Sequence, residues 1–212
     1  MGLDRMGPPE ALILALQKRL GLADFVETGT YRGDTAAWAA GHFSRVTTIE
    51  LSPAFHAAAQ ARFHGRSEVR ALQGDSSTVL QAVVPALAGP ALFWLDAHWS
   101  GLDTAGREAE CPLLAEIGLI NASPLAHVVM VDDARLFCAP PPRPHRAEQW
   151  PDLAATLAVL HDGGRRHVVL TEDVFVAVPA GIRDFLNEWL QDNAETARTE
   201  GRFARWWKKM RR

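Results

Sequence analysis

Along the chain, short apolar runs alternate with segments whose apolar residues recur every three or four positions. Leu12, Ile13, Leu16 and Leu20 follow Pro8-Pro9 at helical spacing, and proline suits a first helical turn because its missing N–H has no partner there. The pattern then predicts a strand over residues 23–28, a helix over 35–43, a strand over 45–51, a helix over 53–63 and a strand over 69–75 that ends in a turn. A helix over 76–87 precedes the apolar run ALFWLDAHW, which reads as a strand covered on both faces. Residues 111–120 read as a helix and 127–134 as a fifth strand. A loop over 138–151 follows, whose prolines resist regular structure. Beyond it come a helix over 152–164, two strands around Glu172-Asp173 within 167–179, and a helix over 182–192.

Strands that alternate with helices require right-handed crossovers, so the expected class is α/β, a doubly wound and mostly parallel seven-stranded sheet with a C-terminal antiparallel hairpin. The 212 residues suit one domain. An N-terminal helix would occupy residues 1–21, the core 22–190, and a basic tail with tryptophans 191–212. In sheets of this kind ligands bind beyond the C-terminal ends of the strands. Glu27, Glu50, Asp75, Asp96, Asp132 and Asp133 all fall at such ends.

Composition narrows the partners. Charged residues make up 22% and the net charge is -3, without the basic footprint that phosphate backbones demand, so no nucleic acid partner is expected. The local exception is the tail, where Arg202, Arg205, Lys208, Lys209, Arg211 and Arg212 surround Trp206 and Trp207. It reads as an amphipathic end packed on the domain, or as an anchor for an anionic partner. Cys111 and Cys138 are too few and too far apart for a disulfide framework or a zinc site. With no apolar run long enough to span a bilayer, a cytoplasmic protein is expected.

The stretch FVETGTYRGDT (residues 25–35) is the most informative. A dinucleotide loop prefers G-x-G-x-x-G, whose second glycine lets the backbone approach a pyrophosphate. Here that position is Tyr31, which places a side chain where the pyrophosphate would lie and favours a ligand with an amino acid end. Glu50, about twenty residues past the turn, can accept both hydroxyls of a ribose. Asp75 or Ser76 can receive an adenine amino group, although either can also serve as a helix cap.

With these residues in place, the chain resembles the class I S-adenosylmethionine-dependent methyltransferases, over about residues 22–180. The pattern E-x-G-x-Y-x-G-x-[ST], matched by Glu27, Gly29, Tyr31, Gly33 and Thr35, is most similar to metal-dependent catechol-type O-methyltransferases and to sugar O-methyltransferases of antibiotic pathways. The resemblance implies a Rossmann-like fold and an enzyme that methylates a hydroxyl of a small molecule such as a sugar, glycoside or phenol. Glu27, Thr28, Gly29, Thr30, Tyr31, Gly33 and Thr35 would wrap the methionine part of the cofactor. Glu50 and Leu51 would hold the ribose, and Gly74, Asp75 and Ser76 the adenine. Asp96 and His98 would complete the cofactor site.

The same resemblance implies a metal held by Asp96, Asp132 and Asp133, with magnesium the expected ion, since three clustered carboxylates repel one another without a cation. Alternatively, Asp132 or Asp133 caps a turn and Asp96 contacts cofactor alone. Catechol-type enzymes carry a lysine base after D-H-W, whereas D-A-H-W here runs into Ser100 and Gly101. That leaves His98, beside Asp96, as the candidate catalytic base; its unperturbed pKa suits the task, and it could equally contact adenosine or support the turn. Asp103, Glu108 and Glu110 fall in an expected lid loop over the site, where acids are solvated by default. Arg143, His145, Arg146 and Trp150 would line an acceptor pocket or pack on the surface. A homodimer is common among small enzymes of this kind. The competing functions are a nicotinamide-dependent oxidoreductase on the same fold, disfavoured by Tyr31, and a non-catalytic binding protein, disfavoured by the acids kept at the strand ends.

Overall fold

The structure is a computed structural model and describes residues 7–101 and 104–194. Its centre is a seven-stranded sheet in the order β3-β2-β1-β4-β5-β7-β6. The strands are β1 (Asp24–Thr28), β2 (Arg45–Glu50), β3 (Val69–Gln73), β4 (Ala91–Leu95), β5 (Val128–Val131), β6 (Arg166–Thr171) and β7 (Val174–Pro179). The first five run parallel, and β7 is antiparallel to both β5 and β6. The helices are α1 (Glu10–Leu20), α2 (Asp34–Ala39), α3 (Pro53–Arg62), α4 (Ser76–Val83), α5 (Leu113–Asn121), α6 (Arg135–Cys138), α7 (Leu153–His161) and α8 over residues 183–194. This is the expected architecture. The basic part of the tail, from residue 195, and Asp103 lie outside the described residues. No helix among the described residues is long and apolar enough to cross a membrane.

Alternation along the central strands divides the core in two. Phe25 and Trp94 face one layer with Leu12 and Leu16 of α1 and Leu186 of α8. Val26, Phe93 and Leu95 face the other with Leu80 of α4 and Ile117 of α5. All five positions of β1 and of β4 are buried, as strands covered on both faces must be. The switch of order lies between β1 and β4, so the tips of these strands open onto a crevice.

The short α6 was not expected from sequence; Ala134 N bonds to Asp173 O at 2.8 Å and Arg135 N to Asp173 Oδ1 at 2.9 Å, so the tip of the β6–β7 hairpin sets its start. Both central residues of that hairpin turn, Glu172 and Asp173, have positive φ, the conformation that two-residue hairpins need.

Candidate functional site

The strand tips enclose a cavity of about 420 Å³, within the usual size for a small-molecule site. Gly29 and Tyr31 line it from the turn after β1, Glu50 and Leu51 from the end of β2, Gly74, Asp75 and Ser76 from the entry to α4, and Asp96 and His98 from the loop after β4. Glu27, Thr28, Thr30, Gly33 and Thr35, expected at the methionine end, are not on that wall. They form or support the turn from beneath.

The turn is shaped by two close approaches. Gly29 has φ +84°, and a Cβ there would stand 2.2 Å from the carbonyl oxygen of Asp96, so only glycine lets the tips of β1 and β4 come together. Tyr31, also at positive φ, turns its ring onto Phe55 of α3, with centroids 4.8 Å apart. Its amide donates to Glu50 Oε2 at 2.8 Å while the amide of Ser52 donates to Oε1 at 2.7 Å. The Glu50 carboxylate thereby locks the turn to the start of α3 and still faces the cavity.

Under the turn, Glu27 is 2% exposed and accepts from Thr48 Oγ1 at 2.5 Å, which also bonds Thr30 Oγ1. Burial raises its carboxyl to about 8 against the hydrogen bonds of Thr48 and Thr35, so it is a neutral structural acid at pH 7. At the opposite end Asp75 caps α4, accepting from Ser77 N at 2.9 Å. The cap and the cavity wall are therefore one residue.

Beyond β4 and β5, His98 Nε2 lies 3.0 Å from Asp133 Oδ2, and its Nδ1 lies 3.6 Å from Asp96 Oδ1. The imidazole is 5% exposed and packs against Trp150, with centroids 5.4 Å apart. Asp133 Oδ1 is 2.7 Å from Arg135 Nη1. Burial opposes its ionisation, but His98 and Arg135 outweigh that and hold its carboxyl below the ordinary value. Asp132 Oδ1 accepts from Asp133 N at 2.8 Å. Burial and the Asp133 charge raise Asp132 to about 6 despite that bond. Desolvation at the cavity wall and the charges of Asp132 and Asp133 raise the half-buried Asp96 well above its ordinary value.

The three acids converge as expected, yet the donor set does not fit a magnesium ion. Both oxygens of Asp133 have partners, and one is a guanidinium that a dication would have to displace. Among the described residues no group of three His, Cys, Asp or Glu is placed to hold a metal ion. Arg135, which follows the acids in a stretch assigned to no element from sequence, sets its guanidinium against Asp133 and Asp173.

Two further corrections concern the loops. Glu110, expected as a solvated acid of a lid, is 1% exposed. It accepts from Trp150 Nε1 at 2.9 Å and from Arg146 N and Nε, with His145 Nδ1 at 3.3 Å. Burial opposes its ionisation, but these donors prevail and lower its pKa. His145, Arg146 and Trp150 thus brace Glu110 rather than line the cavity, and Arg143 is exposed. Ser100, Gly101, Thr104, Ala105 and Ala109 line the cavity, and a Cβ built on Gly106 would lie 3.7 Å from Leu51 Cδ2. Glu116 of α5, buried near Ser76, Thr28 and His98, was missed. Its signal was a single acid in the apolar run LLAEIGLI.

No family model matches the sequence, and no curated protein matches it. Solved structures do match. An O-methyltransferase from Bacillus cereus in complex with S-adenosylhomocysteine superposes with a TM-score of 0.57 at 16% identity, over 82% of this chain and 83% of that one. A methyltransferase of Podospora anserina bound to S-adenosylhomocysteine gives 0.52 at 17%, over 83% and 80%. The chain has the fold of these methyltransferases. An amino pentose methyltransferase from Micromonospora echinaspora with S-adenosylmethionine bound, involved in calicheamicin biosynthesis, matches at 0.51 and 16% over 80% of this chain and 88% of that one.

Proposed function

We propose that the protein is an S-adenosylmethionine-dependent methyltransferase that methylates a hydroxyl oxygen of a small molecule. The observation that carries this reading is the single cavity into which Glu50, the Asp75–Ser76 pair and the Asp96–His98 loop all project from successive strand tips. Gly29, which has no room for a Cβ beside the Asp96 carbonyl, lines the same cavity. The methyltransferase fold and the ligands named for its structural neighbours support the same cofactor.

In this reading Glu50 receives the ribose hydroxyls, Leu51 lies against the nucleoside, and Asp75 with Ser76 meets the adenine. Bound S-adenosylmethionine supplies a methyl group on a sulfonium, a strong electrophile. The protein has to place an acceptor oxygen in line and remove its proton. Ionised Asp133 accepts from His98 Nε2–H, which fixes the tautomer and leaves the Nδ1 lone pair beside Asp96. An acceptor hydroxyl entering there would give its proton to Nδ1, and the bound cofactor would supply the methyl group to the oxygen so freed. Arg135 holds Asp133 charged throughout. Magnesium has no step in this scheme, because both oxygens of Asp133 are engaged by His98 and Arg135.

Calorimetric titration with S-adenosylhomocysteine tests the cofactor assignment: saturable binding is expected, and its absence overturns the reading. Transfer of labelled methyl from S-adenosylmethionine to a panel of phenols, sugars and glycosides then finds the acceptor class.

A further inference from the structure

A single hydrogen bond does not fix the plane of a ring. His98 meets Asp133 Oδ2 through Nε2 at 3.0 Å, which places the tip of the imidazole but leaves the ring free to rock about that contact. Its Nδ1 lies 3.6 Å from Asp96 Oδ1, longer than a hydrogen bond, so no second bond holds the plane. The face of the ring is touched by Trp150, with centroids 5.4 Å apart and planes inclined at 60°, within the range of favourable aromatic pairs.

Trp150, near the end of the proline-rich loop, is 7% exposed. Its Nε1–H donates to Glu110 Oε2 at 2.9 Å, and the Glu110 carboxylate is itself held by the amide and guanidinium of Arg146. Phe137 of α6 packs on the indole at 5.5 Å and meets Phe175 of β7 at 6.3 Å. A row of rings therefore runs from the sheet to the imidazole. Phe137 and Trp150 also border a hollow of about 330 Å³ lined by Pro140, Pro141 and Leu153. It gives the indole room to withdraw, so the bond to Glu110 is what keeps Trp150 against His98.

We propose that Trp150, anchored by Glu110, is a positioning residue that sets the plane of the His98 imidazole and so aims its Nδ1 lone pair at the acceptor oxygen. The inference rests on the reading of His98 as the base. Trp150 does not line the cavity, so it acts through the imidazole alone, and aim matters because a small misplacement of reacting atoms costs rate. The charges that face His98 come from Asp96 and Asp133, with Asp132 and Glu116 within electrostatic range. Replacing the indole alters none of them. A ring held in plane keeps Nε2–H on Asp133, whereas a ring free to turn exposes both nitrogens to water and lets the other tautomer form.

The test is nitrogen NMR of the full chain, isotopically labelled at histidine, at pH 8.5 for wild type, Trp150→Phe and Trp150→Leu. His98 is assigned by comparison with His98→Gln, and folding is checked by circular dichroism. The imidazole nitrogens separate N–H from a bare nitrogen and give the tautomer ratio directly. Wild type is expected to hold Nε2–H in clear excess. That ratio should fall about tenfold in Trp150→Leu, which offers no ring face, and about threefold in Trp150→Phe, whose ring has no N–H for Glu110. A purely structural Trp150 would lower the unfolding midpoint without moving these signals, so unchanged ratios in the folded variants would overturn the inference. If Trp150→Leu does not fold, Trp150→Phe decides alone. A wild-type imidazole protonated at Nδ1 would instead overturn His98 as the base, and the inference with it.

Discussion

The amide of Tyr31 donates to Oε2 of Glu50 at 2.8 Å, so the turn after β1 and the tip of β2 hold one another. Glu50→Ala removes this tie together with the ribose acceptor. Affinity for S-adenosylhomocysteine should fall about 100-fold, as expected for losing charge-assisted hydrogen bonds. Glu50→Gln, which keeps an acceptor without the charge, should lose about tenfold. Unchanged calorimetric affinity in Glu50→Ala would remove this residue from the site.

Gly29→Ala should destabilise the fold by about 3 kcal/mol or more, because the methyl group meets a backbone carbonyl at a positive φ. Urea unfolding measures it. A wild-type midpoint would mean that β1 and β4 can part at their tips without loss.

Turnover should persist in a chelator at the wild-type rate, because Arg135 stands against Asp133 where a cation would bind. Asp133→Ala should slow methyl transfer about 100-fold by freeing the imidazole of His98 from its orienting partner. Loss of activity on chelation, restored by magnesium, would show that Arg135 yields Asp133 to a metal.

Glu27 should make stability fall with rising pH. Its ordinary value is 4.5 and its value in the fold about 8, so the unfolded chain binds fewer protons between these limits. The stability it permits is complete below pH 4.5 and drains away toward pH 8, by about 3 kcal/mol at pH 7. Glu27→Gln, neutral throughout, should flatten that part of the curve in denaturant unfolding at pH 5 and pH 8. An unaltered slope would mean that Glu27 is ionised in the fold.

Much of this was legible because strands covered on both faces write themselves as apolar runs ending in polar residues. ALFWLDAHW announced both β4 and its site residues, and the glycine turn, Glu50 and Asp75 reached the cavity together. What could not be read was partnership across distance. Nothing local to Arg135 says that the hairpin residue Asp173 will seat it beside Asp133. Glu110 looked solvated because its donors lie 35 or more residues away. The turn around Tyr31 was read as a ring of ligand contacts, but strand pleating sends Glu27 below it, where Thr48 waits on the neighbouring strand.

The engagement of Glu110 also ties two loops together. The amide of Trp99 bonds the Glu110 carbonyl at 2.8 Å, while the Glu110 side chain reaches the proline-rich segment through Arg146 and Trp150, and Arg146 reaches back to the carbonyl of Arg107. The two loops are thus laced at several points, so a change made in one is felt by the other.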